Sequence, residues 1–305
     1  MGMPILILGE SGTGKTTSLR NFKEGEIAVV NVTGKPLPFR GTFEMLKNTT
    51  NADEIIKFMK STKAKAIFID DCQYIMSFQY MRRIKENGWD KFNEIQSDFF
   101  NMIDAVSSLP DDVIVYFSSH LETKDDGRQK IKTIGKMLDE KITIEGMFTT
   151  VLKTHVSDSK YYFLTQNSGS DTVKSPLGMF ADFAIDNDLK YVDEKIRNYY
   201  QIGDYKSDEE IAKADEEAAR PELEKTESGR VKRTTRTAER RTRTVPTDDS
   251  TNVTVDTETG EVKDDEITEK LKKVVEKAEE TPVRRTRKVR NVPSVDEIID
   301  DDLPF

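Results

Sequence analysis

Apolar residues are grouped in short runs along the first two hundred positions, with two periods. Pro4-Ile5-Leu6-Ile7-Leu8 is continuous, the pattern of a strand covered on both faces in a parallel sheet. A glycine-rich turn follows, then a predicted helix over about 15–21. Residues 27–32 read as a second strand, and Ile55, Ile56 and Met59 place one helical face on 51–61. Residues 66–69 form a third strand. Trp89, Phe92, Ile95, Phe99, Phe100 and Ile103 recur at helical spacing before Pro110, and 113–117 is a fourth strand. Two further runs, 148–154 and 160–165, flank Ser157-Asp158-Ser159 and predict a hairpin at the sheet edge. Strands alternating with helices imply an α/β fold, with a mainly parallel sheet covered by helices.

Composition then divides the chain. The sole tryptophan, Trp89, all nine tyrosines and every phenylalanine except Phe305 fall within 1–205, whereas 206–304 holds no aromatic residue. The expected organisation is a domain over 1–205, a disordered charged linker over 206–295 and an acidic tip over 296–305. Within the linker, 265–280 places Ile267, Leu271, Val274 and Val275 on one helical face, read as a transient helix or one docked on a partner.

Cys72 is the only cysteine, and His120 and His155 are the only histidines. An intrachain disulfide and a Cys/His zinc cluster are therefore excluded. No apolar run reaches membrane-spanning length, and a cytoplasmic location is expected. The formal charge is −9, but it hides the layout: 206–305 carries 27 acidic against 21 basic side chains.

The chemistry begins at Gly9-Glu10-Ser11-Gly12-Thr13-Gly14-Lys15-Thr16, followed by Thr17. This fits GxxxxGK[ST] between a buried strand and a helix. Its glycines let backbone N–H groups turn toward phosphate oxygens, Lys15 reaches the terminal phosphates and Thr16 offers a hydroxyl to Mg²⁺. Gly9 to Thr17 are the candidate nucleotide-binding residues, with ATP and Mg²⁺ as ligand and cofactor. The third strand runs into Asp70-Asp71. Asp70 is the candidate metal ligand, directly or through water, and Asp71 the candidate group that orients or deprotonates the attacking water. The fourth strand ends in Ser118-Ser119-His120 at the same carboxyl edge, where His120 can touch the terminal phosphate or the water. Glu10 as a second carboxylate, and Lys132 and Lys136 as lysine fingers toward a neighbouring subunit, are weaker candidates. His155 reads as structural.

Together, the early P-loop, the Asp70-Asp71 strand, the Ser119-His120 strand end and Gly135-Lys136 resemble the phage-encoded RecA-like recombination ATPases over about 1–205. The resemblance implies a RecA-like P-loop NTPase core, ATP with Mg²⁺, assembly of identical subunits into rings or filaments, and single-stranded DNA as partner in recombination, replication or repair. It also implies a catalytic glutamate just after the second strand, where this sequence has Asn31-Val32-Thr33-Gly34. The last residues, Asp296 to Phe305, resemble the tip of bacterial single-stranded DNA-binding proteins. That likeness implies docking of the Asp300–Phe305 segment on host replication and repair proteins, the Phe305 ring filling an apolar pocket. Two basic clusters, seven positive charges over 230–243 and five over 284–290, are candidate phosphate contacts or a solvated linker. The rival readings are a P-loop small-molecule kinase, with few arginines to build a lid, and a nucleotide-switched adaptor.

Overall fold

In the computed structural model, residues 1–135, 137–220, 223–225 and 231–233 are described. Strands β1 (Met3–Leu8), β2 (Ile27–Asn31), β3 (Glu44–Lys47), β4 (Ala66–Asp70) and β5 (Ile114–Ser119) join β8 (Thr150–Ser157), β9 (Lys160–Leu164) and β10 (Ala184–Asp186) in one eight-stranded sheet. Its order is β10-β9-β8-β1-β5-β4-β2-β3. Every pairing from β8 through β3 is parallel, and only the β8–β9 and β9–β10 edge is antiparallel. Strands β6 (Leu121–Thr123) and β7 (Gln129–Ile131) form a separate hairpin.

The continuous apolar run of β1 is explained by two cores, one on each face. Leu6 and Leu8 face α1 (Ala52–Ser61), α2 (Gln73–Arg82) and α3 (Asp90–Asp104), through Ile55, Met76, Phe99 and Ile103. Ile5 and Ile7 face Leu19, Phe22 and α4 (Leu189–Tyr200), through Leu189, Val192 and Ile196. The α/β architecture is therefore the expected one, covered on both sides. The helix after the P-loop is not an α-helix but a more tightly wound 3₁₀ segment over Thr16–Asn21. Helix α1 starts where Asn51 accepts hydrogen bonds from the N–H groups of Asp53 and Glu54.

The ordered core runs past residue 205, correcting the expected boundary. Helix α5 (Asp208–Ala218) opens on a Ser207–Glu210 capping box and buries Ile211 and Ala218. Ala219 bridges Ile185, and Leu223, in a strand that pairs with Val231–Arg233, packs beside Tyr162 and Ala184. Two aliphatic side chains and a cap thus dock a segment whose acidic, aromatic-free composition pointed to linker. The helical face at 265–280, most of the 230–243 cluster, all of the 284–290 cluster and the 296–305 tip lie outside the described residues.

Helix α4 is fixed to the sheet by a buried ionic group. Arg197 is held by Asp193 at 2.7 Å and donates to the carbonyls of Asp112 (2.8 Å) and Lys65 (2.9 Å). The Tyr116 hydroxyl donates to Asp193 at 2.8 Å. Arg197→Met is expected to cost about 3 kcal/mol, since it leaves Asp193 buried without its cation and two carbonyls without a donor. Urea unfolding of the two proteins measures the difference.

Candidate nucleotide site

Strand β5 lies between β1 and β4, so the loop after β1, the carboxylates after β4 and the histidine after β5 meet at one edge of the sheet. A cleft of about 210 Å³ results. Ser11, Gly12, Gly14, Lys15, Thr16 and Thr17 line it from the loop, with Pro38, Asp71 and His120 opposite. The larger cleft of about 400 Å³, at the opposite ends of the strands, is lined by charges already paired, such as Lys65 with Asp112 and Lys190 with Glu26.

The P-loop is braced from beneath. Gly9 N–H donates to the Ser119 carbonyl at 3.1 Å, and the hydroxyls of Thr13 and Thr154 stand 2.6 Å apart. Gly12 and Gly14 have φ of 77° and 98°, conformations that only glycine adopts readily. Lys15 donates to the carbonyls of Gly9 (3.0 Å) and Glu10 (2.9 Å), and its ammonium is 3.9 Å from Asp71 Oδ1. Burial lowers the Lys15 pKa, outweighing the attraction of Asp71 and Asp70. Glu10 has an exposed side chain and Gly9 is buried beneath the loop, so of the candidate set Gly9, Glu10 and Thr13 contribute through backbone and bracing rather than by lining the cleft.

Asp70 ends β4 with only 9% of its surface exposed. The Thr16 hydroxyl donates to its two oxygens at 2.9 and 3.1 Å, and the Ser118 hydroxyl donates to Oδ1 at 3.0 Å. Burial, and then the charge of Asp71, push its pKa up to about 6. A hydroxyl and a carboxylate in contact are the hard oxygen donors that Mg²⁺ prefers, so Thr16 and Asp70 fit the expected metal. Asp71 follows in a left-handed turn, φ 53°, with its N–H donating to Ser118 Oγ at 2.9 Å. Its Oδ1 is buried without a hydrogen-bond partner, although His120 Nε2 stands 3.3 Å away. Burial, then the Lys15 charge, lower the His120 pKa, which favours the neutral ring.

Several neighbours carry no motif. Ser118 joins the two carboxylates, the Gln73 side-chain carbonyl accepts the His120 N–H at 3.2 Å, and Thr154 braces the loop. Asn31, in the region where the resemblance implies a glutamate, donates to the Lys35 carbonyl at 2.7 Å and accepts from Gly34 N–H at 2.8 Å. It shapes the following loop, and Asp71 is the carboxylate that lines the cleft. Lys132 is exposed, and its N–H donates to the His120 carbonyl; Lys136 is outside the described residues. His155 does not line the cleft.

The raised Asp70 pKa has a signed consequence. The folded protein holds the Asp70 proton more tightly than the unfolded chain does, so this group's contribution to stability is present below about pH 4. It is lost as pH rises through about 6, a difference of about 3 kcal/mol for two pKa units. Asp70→Asn should therefore raise the melting temperature at pH 7.5 without Mg²⁺ and flatten its dependence between pH 4 and 7, as differential scanning fluorimetry will measure.

No helix among the described residues is long and apolar enough to cross a membrane. Among solved structures, the chain is similar to a KaiC-like protein from the hyperthermophilic archaeon Pyrococcus horikoshii OT3, with 16% identity and a TM-score of 0.31 over 53% of this chain and 77% of that one. A search of curated proteins finds no match. The sequence profile of the AAA domain matches residues 1–177, more than half of the chain and all of the cleft. This chain belongs to the AAA domain family of P-loop NTPases.

Proposed function

We propose that the cleft binds ATP with Mg²⁺ and hydrolyses it, and that Asp71 activates the attacking water. The observation that carries this reading is Asp71 Oδ1, buried and without a hydrogen bond, in the same cleft as the Thr16–Asp70 pair and 3.9 Å from Lys15. Gly12 and Gly14 open the loop to the phosphates, and Lys15 transfers its hydrogen bonds from its own loop to the terminal phosphate oxygens. The water oxygen bonds to the γ-phosphorus, the bond to the bridging oxygen breaks, and Asp71 takes the water's proton. Neutral His120, beside Asp71, is placed to hold that water. Held by Thr16 and Asp70, Mg²⁺ would draw charge from the phosphate oxygens.

A kinase lid has little support, because no arginine lines the cleft among the described residues. Arg82 bonds Thr50, Arg83 pairs with Glu86 and Glu94, and Arg197 is buried under α4. We place the work of hydrolysis on single-stranded DNA, within an assembly of identical subunits. This rests on the RecA-like sequence resemblance and on the basic clusters at 230–243 and 284–290. Docking of Asp300–Phe305 on replication proteins rests on the likeness of that tip.

Lys15→Ala is expected to abolish hydrolysis, and Asp71→Asn to lower kcat by about 10²-fold or more with little change in KM. Phosphate release assays measure both, and normal turnover in Asp71→Asn assigns the base elsewhere. Single-stranded DNA should raise wild-type kcat, and more steeply at low salt. An unchanged rate with DNA would leave the hydrolysis reading standing and remove its nucleic-acid partner.

A further inference from the structure

The phosphate loop has two flanks, and the catalytic groups occupy only one. Asp70, Asp71 and His120 all follow strands on the β5 side of β1, so the terminal phosphate belongs on that side. A nucleotide laid along the loop then extends its nucleoside toward the opposite flank, where β8, β9 and β10 lie.

Two side chains meet the loop there. A Cβ on Gly14 would stand 2.9 Å from Cδ1 of Tyr161 and 3.0 Å from Oδ1 of Asn187. Tyr161, near the start of β9, is 43% exposed. Asn187, just after β10, is 1% exposed, yet its Oδ1 and Nδ2 are both without a hydrogen-bond partner among the described residues. Its backbone is nonetheless fixed. The N–H donates to the Tyr161 carbonyl at 3.3 Å, and its own carbonyl accepts from Arg20, at the end of the 3₁₀ segment that follows the P-loop.

A buried amide with unused donor and acceptor costs stability unless a partner arrives. An exposed aromatic ring beside it supplies a stacking face. Adenine offers both complements, a flat ring and an edge with an amino donor next to a ring-nitrogen acceptor, the pattern an asparagine amide pairs with through two hydrogen bonds. Guanine presents acceptors alone on the corresponding edge.

We propose that Tyr161 and Asn187 form the base-recognition part of the nucleotide site. The adenine stacks on the Tyr161 ring, which turns aside from Gly14, and its amino edge pairs with the uncovered Asn187 amide. This rests on the nucleotide-binding reading above and adds to it the side chains that choose the base.

The test separates phosphate from base by measuring equilibrium binding of ATP, GTP and inorganic tripolyphosphate, with Mg²⁺, to the full chain by calorimetry. The wild type should bind ATP more tightly than either of the others. Tyr161→Ala should lose roughly tenfold in ATP affinity while its tripolyphosphate affinity is unchanged, the size expected for one base–aromatic stack. Asn187→Leu, close in volume, should bring the ATP-to-GTP ratio near unity; a residue with only a packing role would leave that ratio alone. If Tyr161→Ala keeps the wild-type ratio of ATP to tripolyphosphate affinity, or Asn187→Leu keeps the ATP-to-GTP ratio, the assignment of that residue is overturned. A wild type that binds neither ATP nor tripolyphosphate overturns the nucleotide-site reading itself.

Discussion

A carboxylate shut away from water organises this molecule's chemistry. Asp70 ends a strand buried on both faces, and among the described residues its charge is met by hydroxyls rather than by an ion pair. Thr16 reaches it from the P-loop and Ser118 from the neighbouring strand, so meeting one charge ties three segments into a fixed arrangement. Ser118 also accepts the Asp71 N–H, and the turn that results directs the second carboxylate into the cleft. A residue that costs stability thus provides the geometry on which the proposed metal site and the proposed water-activating group depend.

The parts legible in sequence were those whose chemistry is local. Eight consecutive residues, Gly9 to Thr16, announce the P-loop because phosphate binding needs glycines, a lysine and a hydroxyl in a short span. Strands β1, β2, β4 and β5 were legible because burial on both faces keeps them apolar up to their carboxyl ends, where Asn31, Asp70 and Ser118-Ser119 stand. Strand β3, with Glu44 and Lys47 exposed and Met45 and Leu46 half-buried, has no such run. Helix α2 was missed because its aromatics surround it: Ile75 and Met76 are buried, while Tyr74, Phe78 and Tyr80 stay partly exposed, leaving no clean stripe. Helix α5 was hidden by its acidic composition, although its Ser207–Glu210 box is a local signal that could have been read.

The contacts made by Ser118, Gln73, Thr154, Tyr161 and Asn187 could not be read in this way, because they exist only through register. Ser118 matters because β5 lies beside β4, and Thr154 because β8 lies beside β1. Asn31 shows the converse. Its position marks a departure from a family pattern, and the hydrogen bonds it makes to Gly34 and Lys35 show what the asparagine does instead.

Cys72, the chain's sole cysteine, follows Asp71 and is fully buried, and both burial and the adjacent carboxylates push its thiol pKa upward. A thiol in that setting does not react with an alkylating reagent while the fold around it stays closed. Its labelling rate is therefore a clock for local opening of the segment that carries both aspartates, built into the native sequence and requiring no added probe. Whatever tightens the cleft slows that clock, so one reaction at one atom reports on the rigidity of the site without reporting on its chemistry.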